Sequence, residues 1–300
     1  MDNPWLLAIR PKTLPASISP ILLGNALALS HPNFNAWLFA LALVCALCLQ
    51  IAVNFANDLF DAQSGVDSAA RLGPTRVIQA GLLAPQQLRR ALYAAVLLAC
   101  VCGLLLCAFS SWWLLGFGVL ALLGVFLYSA GPWPLASHGL GELAVLLFFG
   151  WLAVMGSYFI QTLTLNAYVL GYATLAGLLS AAIMLVNNIR DIRTDAAAGK
   201  NTLAVKIGQR AARRLYQAML LSALLLHFVL SCALGWWSLL TAFAIAPLGC
   251  YLLGAIRYRE AQQLNRQLAQ TAQLLLLYCV IQSAVLWFLT GTGNLTLLTQ

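Results

Sequence analysis

Nine stretches of this chain run for seventeen to twenty-one residues without a single Lys, Arg, Asp or Glu, at about 14–30, 36–56, 91–109, 112–130, 143–160, 167–186, 215–234, 236–255 and 272–290. An apolar run of roughly 20 residues matches the hydrocarbon thickness of a bilayer when it is helical. In hydrocarbon each backbone polar group must find its partner inside the protein, which a helix provides within one segment. Composition agrees: 62% of residues are hydrophobic and 8% charged, against about 25% charged in soluble domains. The expected fold is therefore an all-α integral membrane protein with nine transmembrane helices. Pro15 and Pro20 interrupt the first span.

The charges also set an orientation. Numbering the connections alternately, all sixteen Lys and Arg fall in four regions on one side. These are Arg10 and Lys12; Arg71, Arg76, Arg89 and Arg90; Arg190, Arg193, Lys200, Lys206, Arg210, Arg213 and Arg214; and Arg257, Arg259 and Arg266. The positive-inside rule makes that side cytoplasmic. The N-terminus and the long polar loops are then expected in the cytoplasm and the C-terminus outside. The start of the chain lacks a basic region and a cleavage site, so the first span is expected to stay attached. The net charge of +8 follows from topology and gives no reason to expect nucleic acid. All eight cysteines lie in apolar spans, where packing explains them, Cys45 and Cys48 included. No linker or low-complexity tract divides the chain, which reads as a single domain over 1–300.

Of eight acidic residues, five sit in two asparagine-led clusters, each at the end of a long apolar run. The first is Asn54-Phe55-Ala56-Asn57-Asp58-Leu59-Phe60-Asp61, with Asp67 after it; the second is Asn187-Asn188-Ile189-Arg190-Asp191-Ile192-Arg193-Thr194-Asp195. If helix continues through them, Asn54, Asp58 and Asp61 share one stripe and Asn187, Asp191 and Asp195 another. Both clusters fall at the negative end of a helix dipole, which disfavours carboxylates by about 0.3–1 kcal/mol each. A hard cation with oxygen ligands reverses that balance. Carboxylates, Mg²⁺ and the nearby Arg71, Arg76, Arg190, Arg193 and Lys200 together describe a diphosphate site. At the cytoplasmic mouth of a membrane bundle, the rest of the diphosphate's molecule is expected to be a lipid, as in an allylic prenyl diphosphate.

At these residues the chain resembles the UbiA superfamily of intramembrane aromatic prenyltransferases, and within it the MenA branch that prenylates 1,4-dihydroxy-2-naphthoate. The resemblance is carried by Arg10-Pro11-Lys12-Thr13-Leu14-Pro15-Ala16, Asn57-Asp58-Leu59-Phe60-Asp61, Gly65-Val66-Asp67, Arg71-Leu72-Gly73-Pro74, Tyr128-Ser129-Ala130-Gly131-Pro132, His138-Gly139-Leu140-Gly141-Glu142, Asn187-Asn188-Ile189-Arg190-Asp191 and Ala198-Gly199-Lys200-Asn201-Thr202. It implies nine helices around a central cavity open sideways to lipid, with Mg²⁺ between the two motifs. By position it implies metal contacts from Asn57, Asp61, Asp67, Asp191 and Asp195, with Asp58 an extra carboxylate beside them. Gly65 followed by Asp67 departs from the broader superfamily and matches the naphthoate branch. The reaction implied replaces the carboxylate of 1,4-dihydroxy-2-naphthoate with a polyprenyl chain, releasing carbon dioxide and diphosphate and giving demethylmenaquinone in menaquinone biosynthesis. A bacterial inner membrane is the implied location.

Asp61, Asp191, Asp195, Lys200 and Arg190 are expected to act on the diphosphate. Substrate contacts are expected from Arg10, Lys12, Asn54, Arg71, Arg76, Tyr128, His138, Glu142, Asn187, Asn188 and Arg193. His227, inside the seventh span, reads as a satisfied core histidine. Competing classes are a secondary transporter, whose ionisable groups would sit near the bilayer midplane, another prenyltransferase of the superfamily using a phytyl or 4-hydroxybenzoate substrate, and a lipid-binding scaffold. The chain's charges all lie outside the apolar cores, which speaks against ion-coupled transport.

Overall fold

The computed structural model describes residues 3–64, 73, 76–129, 133–234, 236–260 and 262–291, and among them every regular element is helical. Asp67 and Arg71 lie outside the described residues. A short helix α1 (Pro4–Ile9) is capped by Asn3, whose side chain accepts from the Trp5 amide at 2.9 Å. Then come α2 (Leu14–Leu27), α3 (Ala36–Ser64), α4 (Pro85–Phe109) and α5 (Leu114–Leu127). Next is a composite helix of α6 (Gly141–Val145), a π-helical segment (Leu146–Met155) and α7 (Gly156–Thr162). The chain ends with α8 (Ala167–Ala197), α9 (Leu203–Leu234), α10 (Leu239–Ala255) and α11 (Gln263–Gly291).

Counting the composite helix as one, six helices are long and apolar enough to cross a membrane, and α5 and α10 are shorter apolar helices. The ninth expected span is α2, whose 14 residues reach only about 21 Å. Each expected span has its helix, but the boundaries differ: α2, α5 and α10 fall short of their charge-free stretches, and the long helices exceed theirs. The helices α3, α8, α9 and α11 run well past their charge-free stretches into polar sequence. A helix emerging from the bilayer no longer needs apolar side chains, so lack of charge marks the buried part and not the helix.

The innermost helix is α8, in contact with α9, α11 and the π-helical segment. A Cβ on Gly150 would lie 2.5 Å from the Ala173 carbonyl oxygen and 2.6 Å from the Gly177 Cα. The two glycines thus let the backbones of the π segment and α8 touch, the small-residue packing used between membrane helices. The main core cluster includes Tyr172, Tyr216 and Tyr278, all fully buried. His227 is buried there too, with Nε2 3.1 Å from the Ser238 carbonyl oxygen, as expected. Leu97, Leu225, Phe243 and Trp287 face outward, as a lipid-exposed surface requires.

Candidate active site

A cavity of about 440 Å³ lies between α2, α3, α5, the composite helix and α8, within the range of small-molecule sites. Its lining on α3 runs from Asp61 down to Ala42, about 28 Å of helix. The mouth is polar: Arg10, Thr13, Asn54, Asn57, Asp61, Arg76, Asn187, Asn188, Asp191, Asp195 and Lys200. The depth is apolar, with Leu106, Leu114, Phe117, Phe148, Leu152 and Ile160 among its walls.

Residues 54–61 and 187–195 are helical, the condition under which each motif forms one stripe. Asn54 donates to the Ile9 carbonyl at 2.8 Å and to Thr13 Oγ1 at 3.1 Å, tying α3 to the start of α2. Asn57 Oδ1 accepts from Ser129 Oγ. Asp61 pairs with Arg76, and Lys200 Nζ lies 3.4 Å from Asp61 Oδ1. Arg190 lies beside Asp191, donating from Nε to Oδ1 at 2.8 Å and from Nη2 to Oδ2 at 2.5 Å. The same guanidinium reaches Asn187 at 2.8 Å and Asn265 at 2.7 Å. Asn188 donates to the buried Glu142 at 2.9 Å.

The helix end after the second motif explains where Lys200 sits. Gly199 adopts a left-handed conformation at φ 74°. Its amide bonds the Ala196 carbonyl at 3.2 Å, and the Lys200 amide bonds the Asp195 carbonyl at 2.8 Å. That pair of bonds is a Schellman motif, which glycine closes without steric cost. It turns the chain back so that Lys200, from the α8 end, meets Asp61 at the α3 end. One lysine thereby joins the two motifs across the mouth.

Several expected contacts fall elsewhere. Lys12 and Arg193 are exposed and do not line the cavity. The His138 ring is stacked on Trp133 at 4.2 Å, with Nδ1 2.9 Å from the Pro134 carbonyl oxygen; it holds its loop and does not line the cavity. Asp58 is expected among the metal ligands, yet it is fully buried and turned away from the cavity toward Arg10 and Arg76. Tyr128 is at the mouth and donates to Met184 Sδ at 3.2 Å. The sequence reading passed over Ser17 and Gln50, which line the cavity below the mouth and are bonded at 2.8 Å. A glutamine four residues before Asn54 in an apolar run was the available signal.

Among the described residues no three of His, Cys, Asp and Glu gather closely enough to hold a metal by themselves. The donor set nevertheless suits Mg²⁺ arriving with a phosphate ligand. That ion usually takes one or two carboxylates, keeps waters, and fills its shell from substrate phosphates. Asp61, Asp191, Asp195 and the Asn57 amide supply hard oxygens around one mouth. Asp61 and Asp191 already hold cationic side chains, so these are positions where positive charge is stable.

The family model described as the UbiA prenyltransferase family matches residues 17–280. A 1,4-dihydroxy-2-naphthoate octaprenyltransferase of Escherichia coli (strain K12) is 39% identical over 260 residues, covering 83% of this chain and 84% of the relative. A Mycobacterium tuberculosis protein of the same description is 36% identical, covering 95% of this chain and 97% of its own length. Among solved structures, a UbiA homolog from Archaeoglobus fulgidus bound to GPP and Mg²⁺ superposes with a TM-score of 0.71 at 16% identity, covering 95% of this chain and 100% of that one. This last likeness concerns the fold.

Proposed function

Because the chain belongs to the UbiA prenyltransferase family, we propose that it transfers a polyprenyl chain from an allylic polyprenyl diphosphate to 1,4-dihydroxy-2-naphthoate. Carbon dioxide and diphosphate leave, and the product is demethylmenaquinone, an intermediate of menaquinone biosynthesis. The observation that carries this reading is a cavity with acid–base pairs at its mouth and apolar walls beneath them, mouth and depth together running about 28 Å along α3. An amphiphile with a diphosphate head and a hydrocarbon tail fits both parts. Two relatives with this activity in their names, at 36% and 39% identity over most of the chain, point to the aromatic partner.

In this reading Asp61, Asp191 and Asp195 hold Mg²⁺ together with the diphosphate, and Asn57 adds a neutral oxygen. The ion's part when bound is to neutralise the charge that develops on the leaving diphosphate. Arg76 and Lys200, which line the mouth, shift their hydrogen bonds from carboxylate to phosphate oxygens as the head group enters, while Arg190, expected to touch the diphosphate, lies off the cavity wall and holds Asp191 in place. The apolar walls exclude water, so the allylic cation meets the naphthol ring and not hydroxide. The electron-rich ring attacks through carbon; loss of its carboxylate as carbon dioxide restores aromaticity without a strong protein base at that carbon. The Tyr128 hydroxyl is a hydrogen-bond donor beside this region. The protein is an integral membrane protein; a bacterial inner membrane, with the mouth on the cytoplasmic side, is the location proposed.

The test is the mass of the product from purified membranes given 1,4-dihydroxy-2-naphthoate, Mg²⁺ and mixed polyprenyl diphosphates, with and without EDTA. Prenylated naphthoquinol that has lost the carboxylate, abolished by EDTA, is expected. Product formed equally well in EDTA would overturn the metal assignment, and prenylation of 4-hydroxybenzoate alone would overturn the acceptor.

A further inference from the structure

Asp58 is the one acidic residue of the first motif's helical stretch that the cavity does not reach. It is completely buried and absent from the cavity wall, whereas Arg10 and Arg76 both line that wall. Its Oδ1 accepts from Arg10 Nη2 and from Arg76 Nη1, and its Oδ2 accepts from the Val77 amide at 3.1 Å. We propose that Asp58 is a positioning residue and not a metal ligand. It stands behind Arg10 and Arg76 and holds their guanidiniums together as one clamp for the diphosphate.

Three observations carry this. First, the donors come from two segments, one before α2 and one before α4, and converge on a single carboxylate. To coordinate an ion in the cavity, Asp58 would have to leave two buried arginine contacts. Second, Arg10 sits at φ 54°, ψ 69°, a left-handed conformation that side chains other than Gly and Asn seldom adopt. Its carbonyl is fixed by the Thr13 amide and hydroxyl, both at 2.9 Å. A glycine would make the same turn without strain, so the strained arginine points to a need for its side chain. Third, the charges favour an anion. Among the described residues, three cations, Arg10, Arg76 and Lys200, face the two carboxylates Asp58 and Asp61. Guanidiniums present paired donors that match phosphate oxygens, and Asp58 removes the repulsion between two of them held side by side.

The inference rests on the diphosphate reading of the mouth. It is tested with inorganic diphosphate and Mn²⁺ as probes, using purified wild type, Asp58→Asn, Asp61→Asn, Arg76→Lys and the double variant Asp58→Asn/Arg76→Lys. Diphosphate is titrated first in EDTA; Mn²⁺ is then titrated at saturating diphosphate and read by EPR. Asp58→Asn is expected to weaken metal-free diphosphate binding roughly tenfold, the scale of one charge-assisted contact, and to leave the Mn²⁺ midpoint unchanged. Asp61→Asn is expected to do the reverse. The double variant should bind more strongly than the product of the two single losses predicts, because Asp58 acts in part through Arg76. An Asp58→Asn protein with normal metal-free affinity, or with a raised Mn²⁺ midpoint, overturns the proposal. Should Asp58→Asn fail to fold, Arg10→Lys must show the same split, and normal diphosphate binding by it counts against the clamp. Wild type that binds no diphosphate at all sinks the diphosphate reading itself, and the clamp with it.

Discussion

At the scale of single residues, the mouth separates groups whose loss costs stability from groups whose loss costs binding. Arg190 and Asp191 are both buried, and among the described residues the guanidinium bonds Asn187 and Asn265 besides Asp191. Asp191→Ala leaves a buried cation short of its counter-charge, a change that typically costs about 3–5 kcal/mol. That variant is expected to lose prenyl transfer and to melt well below wild type in detergent. An Asp191→Ala protein with wild-type melting would mean that Arg190 finds another partner. Lys200 differs. Its contact with Asp61 is long, at 3.4 Å, and partly open to solvent, so it adds at most about 1 kcal/mol to stability. Lys200→Gln should melt like wild type yet raise the KM for prenyl diphosphate roughly tenfold, the loss of one charge-assisted bond. Unchanged KM would reduce Lys200 to a topological charge. Spacing alone could not make such distinctions. Asp58 and Asp61 lie three residues apart on one helix, and the pattern treats them alike. What separates them is Arg10, brought from 48 positions away, and no local pattern carries that. Asn265 on Arg190 is another long-range contact without a sequence signal. The membership of the mouth was legible because carboxylates are rare in this chain; the partner of each was not.

At the scale of elements, existence was easier to read than extent. Apolar length predicts every long helix, since the bilayer permits few alternatives. It does not predict where helices stop, because α3 and α8 are continued by the very motif residues that end the apolar run. Nor did it mark the π-helical segment Leu146–Met155, whose residues are as apolar as those of an ordinary span. The end of α8 was partly legible: Gly199 follows the last helical turn, and glycine in that place commonly closes a helix. Its left-handed conformation suggests a specific outcome. Gly199→Ala must either hold an L-residue where it costs about 1–2 kcal/mol or relax and carry Lys200 away from Asp61. The expected result is a severalfold rise in prenyl diphosphate KM with little change in kcat. Gly199→Asn should be milder, because Asn tolerates the left-handed region better. Equal kinetics for Gly199→Ala and wild type would show that the cap does not set the position of Lys200.

At the scale of the whole molecule, one asymmetry connects the sequence to the site. All sixteen basic residues fall on one side of the nine expected spans, and the cavity's polar mouth is lined by three of them, Arg10, Arg76 and Lys200. The charge bias that directs insertion therefore also determines from which compartment the diphosphate head and the anionic naphthoate enter. In the proposed reading the hydrocarbon tail would lie along the apolar walls in the opposite direction. If the positive side is cytoplasmic, cysteines introduced at Ala197, an exposed residue at the end of α8, and at Asn33, in the connection before α3, must report opposite faces. An impermeant maleimide applied to intact spheroplasts should label Asn33→Cys and spare Ala197→Cys; inverted vesicles should give the converse. The native cysteines form a low background, since all eight lie in the apolar spans, out of reach of a reagent that stays in water. Labelling of Ala197→Cys from outside would place the mouth in the wrong compartment for a cytoplasmic diphosphate. The site chemistry would stand, but the substrates would have to come from the other side of the membrane.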